Sequence, residues 1–228
     1  MSGPFSYSSS DVAAATGSVR ERIVAAGGTL DRVTVVAVTK GLPLAAARAA
    51  ARAGELDLGE NYAGELLEKA SGLAASAGVR WHLLGGIQRR SVARIARYVT
   101  LYQSVDRIEE GETIAKHAAG AAVLVEVDTT NIAGRGGVSL DDAPRLAERL
   151  SRLGLDVKGL MTIGPPDDPD GSRRGFSSVR GLVDRLGLPI ASMGMSDDFE
   201  IAVEEGSTMV RVGRAIFGPR PARRPLSQ

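Results

Sequence analysis

The stretch Val33-Thr34-Val35-Val36-Ala37-Val38-Thr39-Lys40-Gly41-Leu42-Pro43 decides the architecture. A near-continuous β-branched and aliphatic run of this kind reads as a strand buried on both faces. It ends in a lysine, in a chain that holds 24 arginines but four lysines. Arginine would serve a solvated surface charge equally well. Its guanidinium does not deprotonate, whereas a desolvated lysine amine can act as a nucleophile. Lys40 is therefore a candidate Schiff-base former at the carboxyl end of a buried strand. A strand-end lysine that only reaches out to water explains the position equally well.

Outward from this run the pattern repeats. Strands are predicted over 33–39, 56–59, 80–84, 99–103, 121–127, 157–162, 190–193 and 209–212. A first helix over about 11–26 precedes them, and amphipathic stretches over 44–52, 65–75, 92–98, 108–118, 140–153, 176–186 and 198–205 separate them. Asp106 and Ser139 are the expected N-caps of two of these helices. Eight strands alternating with helices in 228 residues predict an α/β fold, a single-domain (β/α)8 TIM barrel. A doubly wound open sheet is the alternative. The barrel is favoured by the strand count and by the lack of a GxGxxG after the first strand. The barrel is expected over 11–220, between a flexible N-terminus (1–10) and a flexible, proline-rich tail (221–228).

Composition narrows the function. With 28 basic and 27 acidic residues, the net charge of +1 offers no electrostatic footprint for nucleic acid or an anionic membrane. There is no cysteine, which excludes disulfides, thiolate catalysis and thiolate-bound metal. Two histidines, His82 and His117, without metal-binding spacing, argue against a metal centre. No secretory signal or membrane-spanning run is visible, so a cytoplasmic location is expected.

In a barrel of this class the active site lies at the carboxyl ends of the strands. There the chain presents Thr39-Lys40, Gly59-Glu60-Asn61-Tyr62, His82 through Gln88, and Glu126-Val127-Asp128. The seventh strand opens into Ser192-Met193-Gly194-Met195-Ser196-Asp197-Asp198, and the eighth into Arg211-Val212-Gly213-Arg214. Small residues and hydroxyls after strands seven and eight suit a phosphate site. Simple chain turning at the glycines, with Ser196 capping a helix, accounts for the same residues. A lysine amine and a phosphate cradle across one barrel mouth point to a phosphorylated aldehyde. Pyridoxal 5′-phosphate is one candidate, and the sugar phosphate of a Schiff-base aldolase is another. Of the remaining lysines, Lys69 and Lys116 fall on helix faces and Lys158 at the wrong end of strand six.

These segments resemble the pyridoxal phosphate homeostasis protein family over about residues 14–220. The resemblance is carried by Ala37-Val38-Thr39-Lys40, Gly59-Glu60-Asn61-Tyr62, Trp81-His82-Leu83-Leu84-Gly85 with Gln88, Gly159-Leu160-Met161-Thr162-Ile163 and the long run from Ser192 to Gly218. It implies an alanine-racemase-like barrel of fold type III with pyridoxal 5′-phosphate as an aldimine on Lys40. It implies phosphate held by the Gly213 and Arg214 amides with Ser196, and Arg211 facing the pyridine nitrogen. Asn61 would lie beside the cofactor, with His82 and Met193 lining the pocket; Ser192, from the hydroxyl-bearing turn after strand seven, is a further candidate cofactor contact. The chain departs from the family at Arg214, where Thr or Ser is usual, and at Gly86, Arg90 and Ser91.

An always-charged arginine at the ring nitrogen disfavours transamination. A racemase of this class takes a second base from another domain, and the chain is expected to end with the barrel. The expectation is thus a monomeric, cytoplasmic carrier in cofactor homeostasis rather than an enzyme. Pyridoxal-dependent apo-enzymes are possible recipients, and a weak amino-acid racemase is the alternative.

Overall fold

A computed structural model describes residues 7–73 and 78–219. Eight parallel strands close into one barrel in sequential order, β1 pairing with both β2 and β8. They are β1 (Thr34–Val38), β2 (Asp57–Glu60), β3 (Arg80–Leu83), β4 (Val99–Val105), β5 (Ala122–Glu126), β6 (Asp156–Met161), β7 (Ile190–Ser192) and β8 (Met209–Val212). Around them run α1 (Ser9–Ala25), α2 (Leu44–Arg52), α3 (Ala63–Gly72), α4 (Arg89–Ile95), α5 (Ile108–His117), α6 (Ala143–Arg152), α7 (Pro169–Arg185), α8 (Phe199–Glu204) and α9 (Arg214–Phe217). All eight expected strands are present. Among the described residues no helix is long and apolar enough to cross a membrane.

Where the helices differ from expectation, local chemistry explains it. Helix α1 starts at Ser9, because the Ser8 hydroxyl accepts from the Asp11 amide. Ser8 to Ser10 thus belong to the fold. Of the expected flexible ends, residues 1–6 and the whole 221–228 tail lie outside the described residues, as do 74 and 75 of the third expected helix. Helix α7 starts seven residues early. Asp168 accepts from the Gly171 amide and Pro169 takes the first helical position, two start signals inside a polar stretch that hides its periodicity. Helix α4 likewise begins at Arg89 rather than Val92.

Asp106 does not cap α5, whose N-cap is Arg107. Its carboxylate instead accepts from the Gly137 amide at 3.0 Å, while its own amide donates to Glu110. Ser139 accepts from the Asp142 amide at 3.1 Å and so caps the turn that feeds α6.

Strand alternation divides the core in two. Outward side chains such as Leu58, Tyr102, Val123, Leu160 and Val210 pack against the helices. With few aromatics, the helices approach closely on alanine, and Ala46, Ala47, Ala49 and Ala50 of α2 are all buried. Inward side chains Val36, Leu101, Leu124, Met161 and Met209 form a separate apolar plug. Closure is tight at β6–β7, where a Cβ on Gly159 would lie 1.9 Å from the Ile190 carbonyl oxygen. Gly159→Ala therefore forces two strands apart. We expect it to cost about 3 kcal/mol or more, measured as the shift in urea unfolding. Wild-type stability would show that the strands part without strain.

Candidate functional site

The β1–β8 pairing builds the site. Val36 lies beside Arg211 in register. Inward positions recur every second residue, so Lys40 stands two inward steps above Val36, and Gly213 one step above Arg211. The two rims meet around a cavity of about 360 Å³ lined by Val38, Lys40, Asn61, Leu84, Ile163, Met195, Ser196, Arg211, Gly213 and Arg214.

Lys40 is half-buried, and its Nζ donates to Asn61 Oδ1 at 3.3 Å. Asn61 is set by close packing beneath it: a Cβ on Gly85 would sit 2.3 Å from the Asn61 carbonyl oxygen. Arg211 is buried. Its Nη1 donates to the Ser192 carbonyl and hydroxyl, both at 2.8 Å, and its Nη2 to the Thr162 carbonyl at 2.8 Å. Three of its five N–H donors are thereby committed, and the guanidinium is held at the cavity floor. Burial lowers its pKa to about 10, against the pull of Asp198 and Glu126, so it remains a cation at neutral pH. Burial, reinforced by Asp106, pushes Glu126 up to about 7 against Arg211.

On the opposite rim the Ser196 hydroxyl accepts from the amides of Gly213 and Ala215, both at 3.3 Å. The Arg214 amide begins the first turn of α9, where no intrahelical acceptor exists. The Arg214 side chain is exposed and paired with Asp197. Ser196 does not cap α8. Asp198 holds the N-cap position without a side-chain cap hydrogen bond; its Oδ1 accepts instead from the Met195 amide in the preceding turn, at 2.6 Å.

Six expected site residues thus meet at one cavity: Lys40, Asn61, Ser196, Arg211, Gly213 and Arg214. Three stand apart from its lining. Met193 has outward parity and is fully buried against the helices. Ser192 lies behind Arg211. His82 lies deeper, between Asp57 (3.1 Å) and Gln103 (2.8 Å).

Sequence reasoning missed the support behind Lys40. Lys69, expected on a helix face, is buried. Its Nζ donates to the Thr39 carbonyl and Glu60 Oε1, each at 2.7 Å, and to Glu65 at 3.3 Å. The Thr39 hydroxyl also donates to Glu60, and the Gly41 amide donates to Glu65 at 2.6 Å. The peptides on both sides of Lys40 are thus tied to one ionic cluster. The signal that singled out Lys40, a lysine in an arginine-rich chain, applied to Lys69 as well. Its i,i+4 spacing from Glu65 was a second signal.

A barrel with a strand-end lysine and an arginine at the floor of one cavity defines a class, and comparison with known proteins agrees. The family described as alanine racemase, N-terminal domain, matches residues 16–221. Curated proteins named pyridoxal phosphate homeostasis protein match as well. That of Pseudomonas aeruginosa is 36% identical over 95% of this chain and 97% of its own. That of Deinococcus radiodurans is 38% identical over 90% and 99%. The solved structure of PipY from Synechococcus elongatus, with pyridoxal phosphate bound, is similar at a TM-score of 0.80 and 28% identity, over 91% of this chain and 100% of that one. The chain belongs to the pyridoxal phosphate homeostasis protein family.

The Lys69 cluster makes a pH-dependent prediction. Burial raises the Glu60 carboxyl from its ordinary 4.5 to about 7, against the attraction of Lys69. The folded state thus holds this proton more tightly than the unfolded chain. The stability tied to it is full below about 4.5 and is lost as pH rises through about 7. Lys69→Met would leave ionised Glu60 unpaired, costing about 3–5 kcal/mol near pH 8. The cost should shrink near pH 5, where Glu60 is protonated. Urea unfolding at the two pH values checks this, and an equal cost at both would refute it.

Proposed function

We propose that the cavity holds pyridoxal 5′-phosphate and that the chain serves intracellular homeostasis of that cofactor. The observation that carries this reading is the convergence of the Lys40 amine, the Arg211 guanidinium and the Ser196–Gly213 rim on one cavity. The donor set fits the group: an amine for an aldehyde, N–H and O–H donors for phosphate, and a cation beside an aromatic nitrogen. The names of the curated relatives and the ligand in PipY support it.

Bound there, the cofactor supplies an aldehyde carbon that a primary amine can attack. Lys40 provides that amine, and Asn61 orients it by accepting from Nζ. The amides of Gly213, Arg214 and Ala215 and the Ser196 hydroxyl provide the phosphate donors. Hydrogen bonds of 3.3 Å to Ser196 lie beyond the favoured range, so an anionic oxygen, the stronger acceptor, would displace them. Arg214 contributes its peptide and leaves its side chain to Asp197. Ser192 and His82 act from behind the cavity floor, and Met193 through packing alone.

The role is a carrier's rather than a catalyst's. Arg211 stays charged at neutral pH, and a fixed cation disfavours protonation of a neighbouring ring nitrogen. The ring then withdraws electrons weakly. We place the chain in the cytoplasm as a monomer, with pyridoxal-dependent apo-enzymes as recipients.

Purified protein given pyridoxal phosphate should turn yellow. Lys40→Ala should lose the visible band, and borohydride should leave no pyridoxyl mass on it. Arg211→Ala should weaken binding roughly 10- to 100-fold, the scale of one hydrogen bond to a charged group. A visible band retained by Lys40→Ala would sink the proposal. Deuterium exchange at an amino acid's α-carbon at about 1 per second or faster would replace the carrier with a racemase.

A further inference from the structure

Beneath the cavity, the barrel interior contains a continuous polar chain that the binding reading does not require. Arg211 Nη1 donates to Ser192 Oγ at 2.8 Å, and Ser192 Oγ donates to Gln103 Oε1 at 2.7 Å. Gln103 Nε2 donates to His82 Nδ1 at 2.8 Å, and His82 Nε2 meets Asp57 Oδ1 at 3.1 Å. Gln103 also presents Nε2 to the Met209 sulfur at 3.2 Å. A thioether only accepts, so the sulfur sets which way the amide faces. With Nδ1 accepting from Gln103, the His82 proton sits on Nε2 and is donated to Asp57. Every proton therefore points the same way, from the Arg211 cation to the Asp57 anion. Five side chains from β8, β7, β4, β3 and β2 cross the barrel in this order, and bonds aligned in a chain polarise one another.

The two ends are anchored. Asp57 is paired with Arg80 at the amino-terminal end of the barrel. Burial raises its pKa, but hydrogen bonds from His82 and Arg80 outweigh burial and hold it at about 2, so the anion persists. At the other end, Glu126 and Asp198 are the acids whose charge acts on Arg211. Gln103, Ser192 and His82 are all buried, and the chain satisfies each of them. An apolar plug of the same volume would close the barrel without this cost in desolvation. A structural role alone does not require one polarity along five residues.

We propose that Gln103 is a positioning residue for the ring-binding arginine. Its amide orients the Ser192 hydroxyl so that the oxygen lone pairs face Arg211, with His82 and Asp57 fixing the amide's direction. Through this chain the far end of the barrel sets where the guanidinium sits and how firmly it keeps its proton. The inference rests on the pyridoxal phosphate reading above.

The test uses the full-length protein reconstituted with pyridoxal phosphate, following the visible band across pH. Gln103→Met removes the hydrogen bonds to Ser192, His82 and Met209 at similar volume. We expect cofactor still attached to Lys40, found as a pyridoxyl peptide after borohydride, but with the titration midpoint moved by roughly one unit, the scale of one charge-assisted bond. Ser192→Ala should move it in the same direction. The double variant should move it no further than Ser192→Ala alone, because both act on one path. A folded Gln103→Met that titrates as wild type overturns the inference, as does full additivity with Ser192→Ala. If Gln103→Met does not fold, Ser192→Ala decides: an unmoved midpoint overturns the proposal. Wild-type protein that carries no pyridoxyl on Lys40 would instead defeat the binding reading itself, so the two failures are distinct.

Discussion

The pairing of β1 with β8 is the constraint on which the rest depends. These strands are separated by almost the whole chain, and their hydrogen bonds convert an open array into a closed wall. The register of that pairing, Val36 beside Arg211, fixes the relative heights of Lys40 and Gly213. A slip of one residue would turn Lys40 or Arg211 out toward the helices. The amine, the guanidinium and the phosphate-suited rim then could not share a cavity. Stability and site therefore rest on the same set of backbone bonds.

The interior reflects this division of labour. Its apolar plug is small, five buried side chains among the described residues with Ala122, Ile163 and Ile190 packed against them, and polar groups share the interior with it. Two buried networks thread the interior and its wall. The Lys69–Glu60–Glu65 cluster grips the peptides around Lys40, and the Arg211-to-Asp57 chain grips the guanidinium. Both are expensive in desolvation, and neither would be selected for stability alone. What they supply is position: each long, flexible cation is held by groups that satisfy most of its donors. The outer core between strands and helices, mostly apolar apart from clusters such as Lys69–Glu60, carries the folding free energy.

The strand pattern was legible because strands buried on both faces must be almost wholly apolar, as in Val33–Thr39 and Ala121–Val127. Lys40 stood out because lysine is the rarer basic residue in this chain and this one closes a buried strand. The same rarity applied to Lys69 and was passed over, since a helical position looked solvent-facing. The early start of α7 was hidden by a polar first turn whose only signals were Asp168 and Pro169. His82 and Met193 were drawn to the cavity by their places in strand-end motifs. Strand parity and depth put them elsewhere, Met193 outside the barrel wall and His82 below the floor.

By itself the sequence determined the eight strands and their order, the helices between them but not α9, and six of the residues around the cavity. Each of those follows from local patterning: apolar runs, glycine turns, and a rare residue type at a strand end. Only the tertiary structure decided which side chains point inward, how deep they lie, and which buried partners complete them. Gln103, Asp57, Glu60 and Lys69 are ordinary polar residues in the chain. They became partners of Arg211 and Lys40 only when barrel closure brought distant strands within hydrogen-bond reach, and no local pattern records that meeting.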